Sequence, residues 1–133
     1  MTRFILSSFF VFFLFAVSSC IKHRGDFMEV IPTATITFSS PLAGSVFNNG
    51  DSINIKAVAV STDVLHGYDV AIHKAGDTTS YFFVHIHDHN ATLAIDQKWK
   101  NTFTTANDME AEVTLYLDHD GHTKKGKVAF KVH

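Results

Sequence analysis

Cysteine is nearly absent from this sequence, because Cys20 is the only one among 133 residues. A single cysteine excludes an internal disulfide, so burial of a core has to hold the folded part of the chain together. An excess of basic charge is absent as well. Without Arg3, ten of the eleven Lys and Arg residues remain against thirteen Asp and Glu. This balance excludes nucleic acid as a partner, and it excludes a polybasic surface for lipid head groups.

The sequence also lacks an apolar run long enough to cross a bilayer, which takes about 20 residues. The N-terminal run, residues 4–17, is interrupted only by Ser7 and Ser8, follows Arg3 and ends at Ser18-Ser19. A positive residue, a short apolar run and small residues in this order are typical of a secretory signal peptide. We therefore assign residues 1–19 to a signal peptide and not to a transmembrane anchor.

The end of that segment resembles a bacterial lipobox. In Val17-Ser18-Ser19-Cys20, cleavage would expose a cysteine that becomes acylated, although Val17 departs from the commonest residue, leucine. An ordinary secretory signal ending at a chance cysteine is the alternative. The resemblance implies that lipid on Cys20 anchors the protein to a membrane, since two or more acyl chains anchor stably. The following residues lack the aspartate typical of inner-membrane retention and an acidic surface-export cluster, which favours the periplasmic face of the outer membrane.

The rest of the chain predicts a tether followed by one β domain. Residues 20–32 show neither alternation nor helical periodicity, whereas apolar and polar residues alternate from residue 33 onward, as in half-buried strands. Seven short strands without a long helix predict an all-β, antiparallel β-sandwich over residues 33–133. Residues 98–108 are harder to interpret, and there we expect a short helical turn with Trp99 and Phe103 capping the core. The predicted strands contain residues 34–38, 53–59, 68–73, 82–86, 93–95, 111–117 and 128–132.

Two stretches resemble bacterial immunoglobulin-like domains. SPLAGSVFNNGDSINIKAVAV has their opening Ser-Pro turn, aromatic residue and Gly-Asp before the second strand. EVTLYLDHDGHTKKGKVAFKV has the Asp-rich turn of their last hairpin. The resemblance implies a seven-stranded immunoglobulin-like sandwich and indicates almost nothing about function. More loosely, LHGYDVAIHK with the histidine-rich segment after it resembles uncharacterised lipoproteins of the Bacteroidota.

Histidine is abundant, with nine residues, and the predicted topology gathers most of them. In an immunoglobulin-like sheet the third strand runs antiparallel between the fourth and the sixth. The start of the third strand therefore lies beside the ends of its two neighbours, at one pole of the sandwich. We expect this pole to contain His66, His87, His89, His119 and His122, with His73 and His133 at the opposite pole.

This group predicts a transition-metal site, since imidazole binds Zn²⁺ and also suits Cu²⁺ and Ni²⁺. Histidines two apart on a strand project from one face. Alternation partly opposes the prediction, because it points His66 and His119 toward the core and the others outward. The spacing also lacks a zinc-finger or HExxH signature. The candidate set has four ligands. Two come from His85, His87 and His89, the third is His119 or His122, and Asp118 or Asp120 completes the shell. His66 lies at the same pole.

The favoured function is therefore a membrane-anchored binding lipoprotein with zinc or copper as its cofactor. The alternative is a structural or adhesive module that binds a protein or glycan, with incidental histidines and a hairpin turn in which Gly121 takes a positive φ. A metalloenzyme would need activated water, but nothing marks a nucleophile, and Glu110 and Glu112 lie at the far end of their strand. A pH sensor, in which charged histidines repel one another, also remains open.

Overall fold

The computed structural model describes residues 30–133. The predicted signal peptide, Cys20, His23 and most of the predicted tether lie outside the described residues. All regular secondary structure within residues 30–133 is β-strand. Within these residues no helix is long and apolar enough to span a membrane. The strands are β1 (Ala34–Ser40), β2 (Val46–Phe47), β3 (Ser52–Ser61), β4 (Tyr68–Lys74), β5 (Ser80–Ile86), β6 (Thr92–Lys100), β7 (Asn107–Tyr116) and β8 (Thr123–Val132).

The strands form two sheets, one of three strands in the order β1-β3-β6 and one of five in the order β2-β8-β7-β4-β5. Packing of two such sheets over a shared core is the immunoglobulin-like sandwich. The all-β immunoglobulin-like fold is thus confirmed, although the strand count is eight and not seven. The additional strand is β2, which looked too short in the sequence but pairs in parallel with Lys131 and Val132 at the edge of the larger sheet.

Strict alternation builds the core between the sheets. On β3 the residues at every second position are buried, and they face the equivalent residues of β4 and β7. Ile53, Ile72 and Leu115 are completely buried, and burying an aliphatic side chain of this size contributes roughly 1.5–3 kcal/mol. A core of this kind is consistent with a domain that has no disulfide.

Residues 98–108 differ from the expectation, because no helical turn forms there. β6 continues to Lys100, and a short irregular segment leads into β7. The buried side chain of Asn101 fixes this segment by donating to the carbonyls of Phe47 and His133 and accepting from the backbone N–H of Phe103. Trp99 is buried and its ring lies 6.2 Å from that of Phe103, so the two rings cap the core as expected without a helix.

Candidate functional sites: a histidine cluster and a polar groove

Four of the predicted ligands lie together at one end of the sandwich, and we call them the histidine cluster: His66, His87, His89 and His119. The ring centroid of His66 lies 3.9 Å from that of His119 and 5.1 Å from that of His89. His87 and His89 are 4.6 Å apart by the same measure. The segments just before β4 and just after β5 and β7 supply these residues, which is the convergence that the antiparallel order requires.

Inside the cluster, imidazoles contact other imidazoles. The Nε2 atoms of His87 and His89 lie 2.9 Å apart, so one ring donates to the other. The Nδ1 atom of His66 is buried and has no hydrogen-bond partner. Burial lowers the pKa of His66, and the neighbouring His119 and His89 lower it further, against the opposing effect of Asp118. His66 therefore favours its neutral form, which is the form that binds metals.

Three of the other predicted ligands, His85, His122 and Asp118, are engaged elsewhere. His85 Nδ1 lies 2.6 Å from Asp69 Oδ1, and His122 Nδ1 lies 2.6 Å from Asp118 Oδ2. Asp118 also accepts the backbone N–H groups of Asp120 and His122. Burial would raise the pKa of Asp118, but these hydrogen bonds outweigh it and lower the pKa. The carboxylate thus closes the hairpin turn and is not directed at the cluster.

As they stand, the side chains do not form a complete metal centre. Over residues 30–133, no group of three or more His, Cys, Asp or Glu side chains is arranged to hold a metal ion. The predicted ligand set is therefore divided by the structure into four histidines that contact one another and a remainder that forms carboxylate pairs and backbone turns.

Gly67 positions the start of β4 beside the end of β5. Its φ is +122°, and a Cβ at this position would collide with the backbone carbonyl oxygen of Ile86 and lie 3.3 Å from the Cα of His87. The carbonyl of Ile86 thus occupies the place that a side chain at position 67 would need. The close approach brings His66 next to the histidines that follow β5.

A second candidate site is a groove of about 570 Å³ on the outer face of the five-stranded sheet. We call it the polar groove. Ala71 and Thr114 contribute small side chains, and Phe83 provides an apolar ring that is 60% exposed. Its charged and hydroxyl-bearing residues include Asp69, Glu112, Tyr116, Lys125 and Lys127.

Every carboxylate of the polar groove has a partner. The ammonium groups of Lys125 and Lys127 lie 2.8 and 3.2 Å from the carboxylate of Glu112. Burial raises the pKa of Glu112, but these two lysines outweigh it and lower the pKa. The hydroxyl of Tyr116 donates to Asp69 over 2.6 Å, and this bond raises the pKa of the phenol. Asp69 thus accepts hydrogen bonds from both Tyr116 and His85.

The sequence interpretation missed the polar groove, although a signal was present. Two acidic residues of β7 pair in register with lysines of β8, since Asp108 lies opposite Lys131 and Glu112 opposite Lys127. Such ladders of charge on the solvent side of a hairpin indicate an ordered polar face. The depth of the groove depends on β5, whose Phe83 pairs with Ala71, and this relation is visible only in three dimensions.

Comparison with known proteins gives only distant likenesses. No protein-family model and no curated protein matches the chain. Fibronectin(III)-like modules of Clostridium thermocellum CbhA are 21% identical with a TM-score of 0.49, over 74% of this chain and 94% of that one. An engineered protein is 15% identical with a TM-score of 0.48, over 76% of this chain and 20% of that one.

A third solved structure is the CARDB domain of a Pyrococcus furiosus protein in complex with di-metal ions. It is 12% identical with a TM-score of 0.45, over 77% of this chain and 94% of that one. At such low identity and similarity, none of the three indicates what this chain binds. The strand order and the two packed sheets define the immunoglobulin-like class directly.

Proposed function

We propose that this protein is a non-enzymatic immunoglobulin-like binding module that recognises a glycan through the polar groove. The observation that carries the proposal is the exposed ring of Phe83 beside a row of paired charges. A sugar presents hydroxyl groups that both donate and accept hydrogen bonds, and it has an apolar face of C–H groups. The groove offers acceptors on Asp69 and Glu112, donors on Lys125, and an apolar ring close to them.

Size and polarity favour a glycan over a protein as the ligand. Pockets for small ligands measure roughly 300–1,000 Å³ and position a few polar groups around an apolar surface. The groove, at about 570 Å³, lies within this range. The core of a protein interface is depleted in charged residues and enriched in aromatic ones, whereas this groove is lined by acids and lysines around one exposed phenylalanine.

The pairing of charges favours binding over catalysis. Glu112 accepts from two lysines, and Asp69 accepts from Tyr116 and His85. Such satisfied networks fix the side chains in place. A fixed array is suited to recognition, whereas an acid or base catalyst needs a group with a proton-transfer partner on the substrate.

A lipid anchor on Cys20 would place this module at the cell envelope. The proposal rests on the resemblance of residues 17–20 to a lipobox. The lack of an aspartate and of an acidic cluster after Cys20 favours the periplasmic face of the outer membrane. The first strand begins at Ala34, so a leash of about a dozen residues would separate the lipid from the sandwich. Such a leash allows the groove to reach a polymer near the membrane.

A glycan array tests the groove directly. The full-length chain, purified in detergent, is applied to the array, and the strongest glycan is then titrated by calorimetry. We expect Phe83→Ala to weaken binding at least tenfold, because it removes the stacking surface. Val58→Ala is the matched control, since Val58 is 47% exposed on the opposite sheet, and it should bind as the wild type does. An array without bound glycans, or equal binding by Phe83→Ala, would contradict the proposal.

A further inference from the structure

The histidine cluster has a different chemistry from the polar groove, and it supports an inference beyond glycan binding. We propose that His87 and His89 form the primary ligand pair of a site for a divalent transition-metal ion, and that His66 and His119 complete it. The structure thereby selects four of the candidate ligands and leaves out His85, His122, Asp118 and Asp120. The ions that suit an all-imidazole site are Cu²⁺, Zn²⁺ and Ni²⁺.

The separation of the first two ligands suits a shared ion. The Nε2 atoms of His87 and His89 are 2.9 Å apart. With an ion at about 2.05 Å from each atom, the N–metal–N angle would be about 90°. A tetrahedral angle needs nitrogens about 0.5 Å farther apart at this bond length. Both side chains are exposed, so a small rotation of the rings supplies that change. Metal binding would replace one contact between the two imidazole rings by two coordinate bonds.

The next ligands lie beside this pair. The ring of His66 packs edge-on against His89 at 5.1 Å and lies 3.9 Å from the ring of His119. The buried Nδ1 of His66 lacks a hydrogen bond, and a buried polar atom without a partner is costly. His119 is exposed and free to turn, because it lies in the hairpin after β7. An ion held first by two histidines would therefore recruit a third by side-chain rotation.

Two carboxylates near the cluster are already engaged. Asp118 is held by His122, and Asp88 accepts a hydrogen bond from Asn90. The four cluster histidines offer only nitrogen donors, which do not suit Ca²⁺ and Mg²⁺ because these hard ions bind oxygen ligands. Selectivity for transition metals over the alkaline-earth ions follows from this composition.

Calorimetry with the full-length, untagged chain in detergent tests the site. We expect one Zn²⁺ or Cu²⁺ ion to bind per chain and Ca²⁺ to give no heat. The double variant His87→Asn/His89→Asn should weaken binding at least 100-fold, because it removes both primary ligands. The control is His133→Asn, which removes an exposed histidine that lies outside the cluster, and it should bind as tightly as the wild type.

Some outcomes would overturn the proposal. These are the absence of Zn²⁺, Cu²⁺ and Ni²⁺ binding, or equal binding by the double variant and the wild type. If circular dichroism shows that the double variant does not fold, His119→Asn with the electron paramagnetic resonance spectrum of bound Cu²⁺ replaces it. The wild-type spectrum should show at least three coordinated nitrogens and the variant one fewer. A spectrum identical in the two proteins, or one dominated by oxygen ligands, would contradict the site.

Discussion

The polar groove and the histidine cluster meet along the same strand, and yet their side chains are satisfied in opposite ways. His85 and His87 are two residues apart. The imidazole of His85 lies against the carboxylate of Asp69, whereas that of His87, just after β5, lies within hydrogen-bond distance of the imidazole of His89. In the groove Asp69 and Glu112 have cation or hydroxyl partners, while in the cluster imidazole rings face one another. The side chains of the groove are therefore fixed by partners of opposite charge or by a hydroxyl, whereas the rings of the cluster are fixed only by one another.

The largest expected effect comes from Gly67, where backbone geometry holds the two regions together. Gly67→Ala would place a Cβ against the carbonyl of Ile86 at a φ of +122°. We expect it to lower the free energy of unfolding by at least about 3 kcal/mol, because strain and a backbone collision add. Urea denaturation followed by fluorescence of Trp99 measures the loss.

The matched control for that change is Gly121→Ala at the same end of the sandwich. Gly121 also has a positive φ, of +94°, but nothing lies within 4 Å of its missing Cβ. Only the backbone strain applies there, so we expect a loss of about 1 kcal/mol. Equal losses in the two variants would show that the close approach at Gly67 does not hold the cluster in position.

Removal of Asp69 tests the contrast between the two regions. Its side chain is 16% exposed and accepts hydrogen bonds from both His85 and Tyr116. Asp69→Ala leaves both donors without an acceptor, so we expect it to lower the free energy of unfolding by about 2 kcal/mol. Thermal unfolding in metal-free buffer provides the measurement.

The histidine cluster should respond differently in the same buffer. His87→Asn/His89→Asn removes two exposed rings that contact only each other and further imidazoles, so we expect a change within about 0.5 kcal/mol. If the double variant is as unstable as Asp69→Ala, the side-chain contacts of the cluster stabilise the fold as much as those of Asp69 do. The contrast would then have to be abandoned.

Much of the fold can be predicted from the alternation of apolar and polar residues, but the candidate sites can be predicted from it only in part. Ile53, Ile55 and Ala57 occupy every second position of β3 and are all buried, as their spacing predicts. β2 escaped prediction because two residues have no period, and its pairing with β8 is a long-range contact. The segment after Trp99 was misjudged because the buried amide of Asn101, and no local helical preference, determines its course.

For the candidate sites, topology carried more information than side-chain parity. The antiparallel order of β5, β4 and β7 already implied that His66, His87, His89 and His119 share one end of the sandwich. It did not reveal that His85 and His122 would each be held by a nearby carboxylate. Whether a histidine pairs with a carboxylate depends on which acid lies within about 3 Å of its ring. A register shift of one residue would move that acid to the other face of the sheet.

The last expected effect concerns the pH dependence of stability, and it separates the charged part of the groove from the rest of the molecule. The lysines beside Glu112 keep the pKa of this carboxyl below its ordinary value. A carboxyl with a lowered folded-state pKa stabilises the fold above its unfolded-state pKa, and this contribution is lost as the pH falls through the folded-state value. Glu112→Gln should therefore flatten the decline in unfolding free energy on acidification from about pH 5 to about pH 3.

We expect a difference of no more than about 1 kcal/mol, because Lys125 and Lys127 are 58% and 49% exposed and solvent screens their charges. The difference should shrink further in 1 M NaCl, where the screening length is about 3 Å. Asp96→Asn is the control, since Asp96 forms an exposed ion pair with Lys56 and should leave the pH profile unchanged. If both variants flatten the profile equally, the pairing of Glu112 in the groove is no stronger than an ordinary surface ion pair. The preorganisation that distinguishes the groove from the cluster would then have to come from Asp69 and Tyr116 alone.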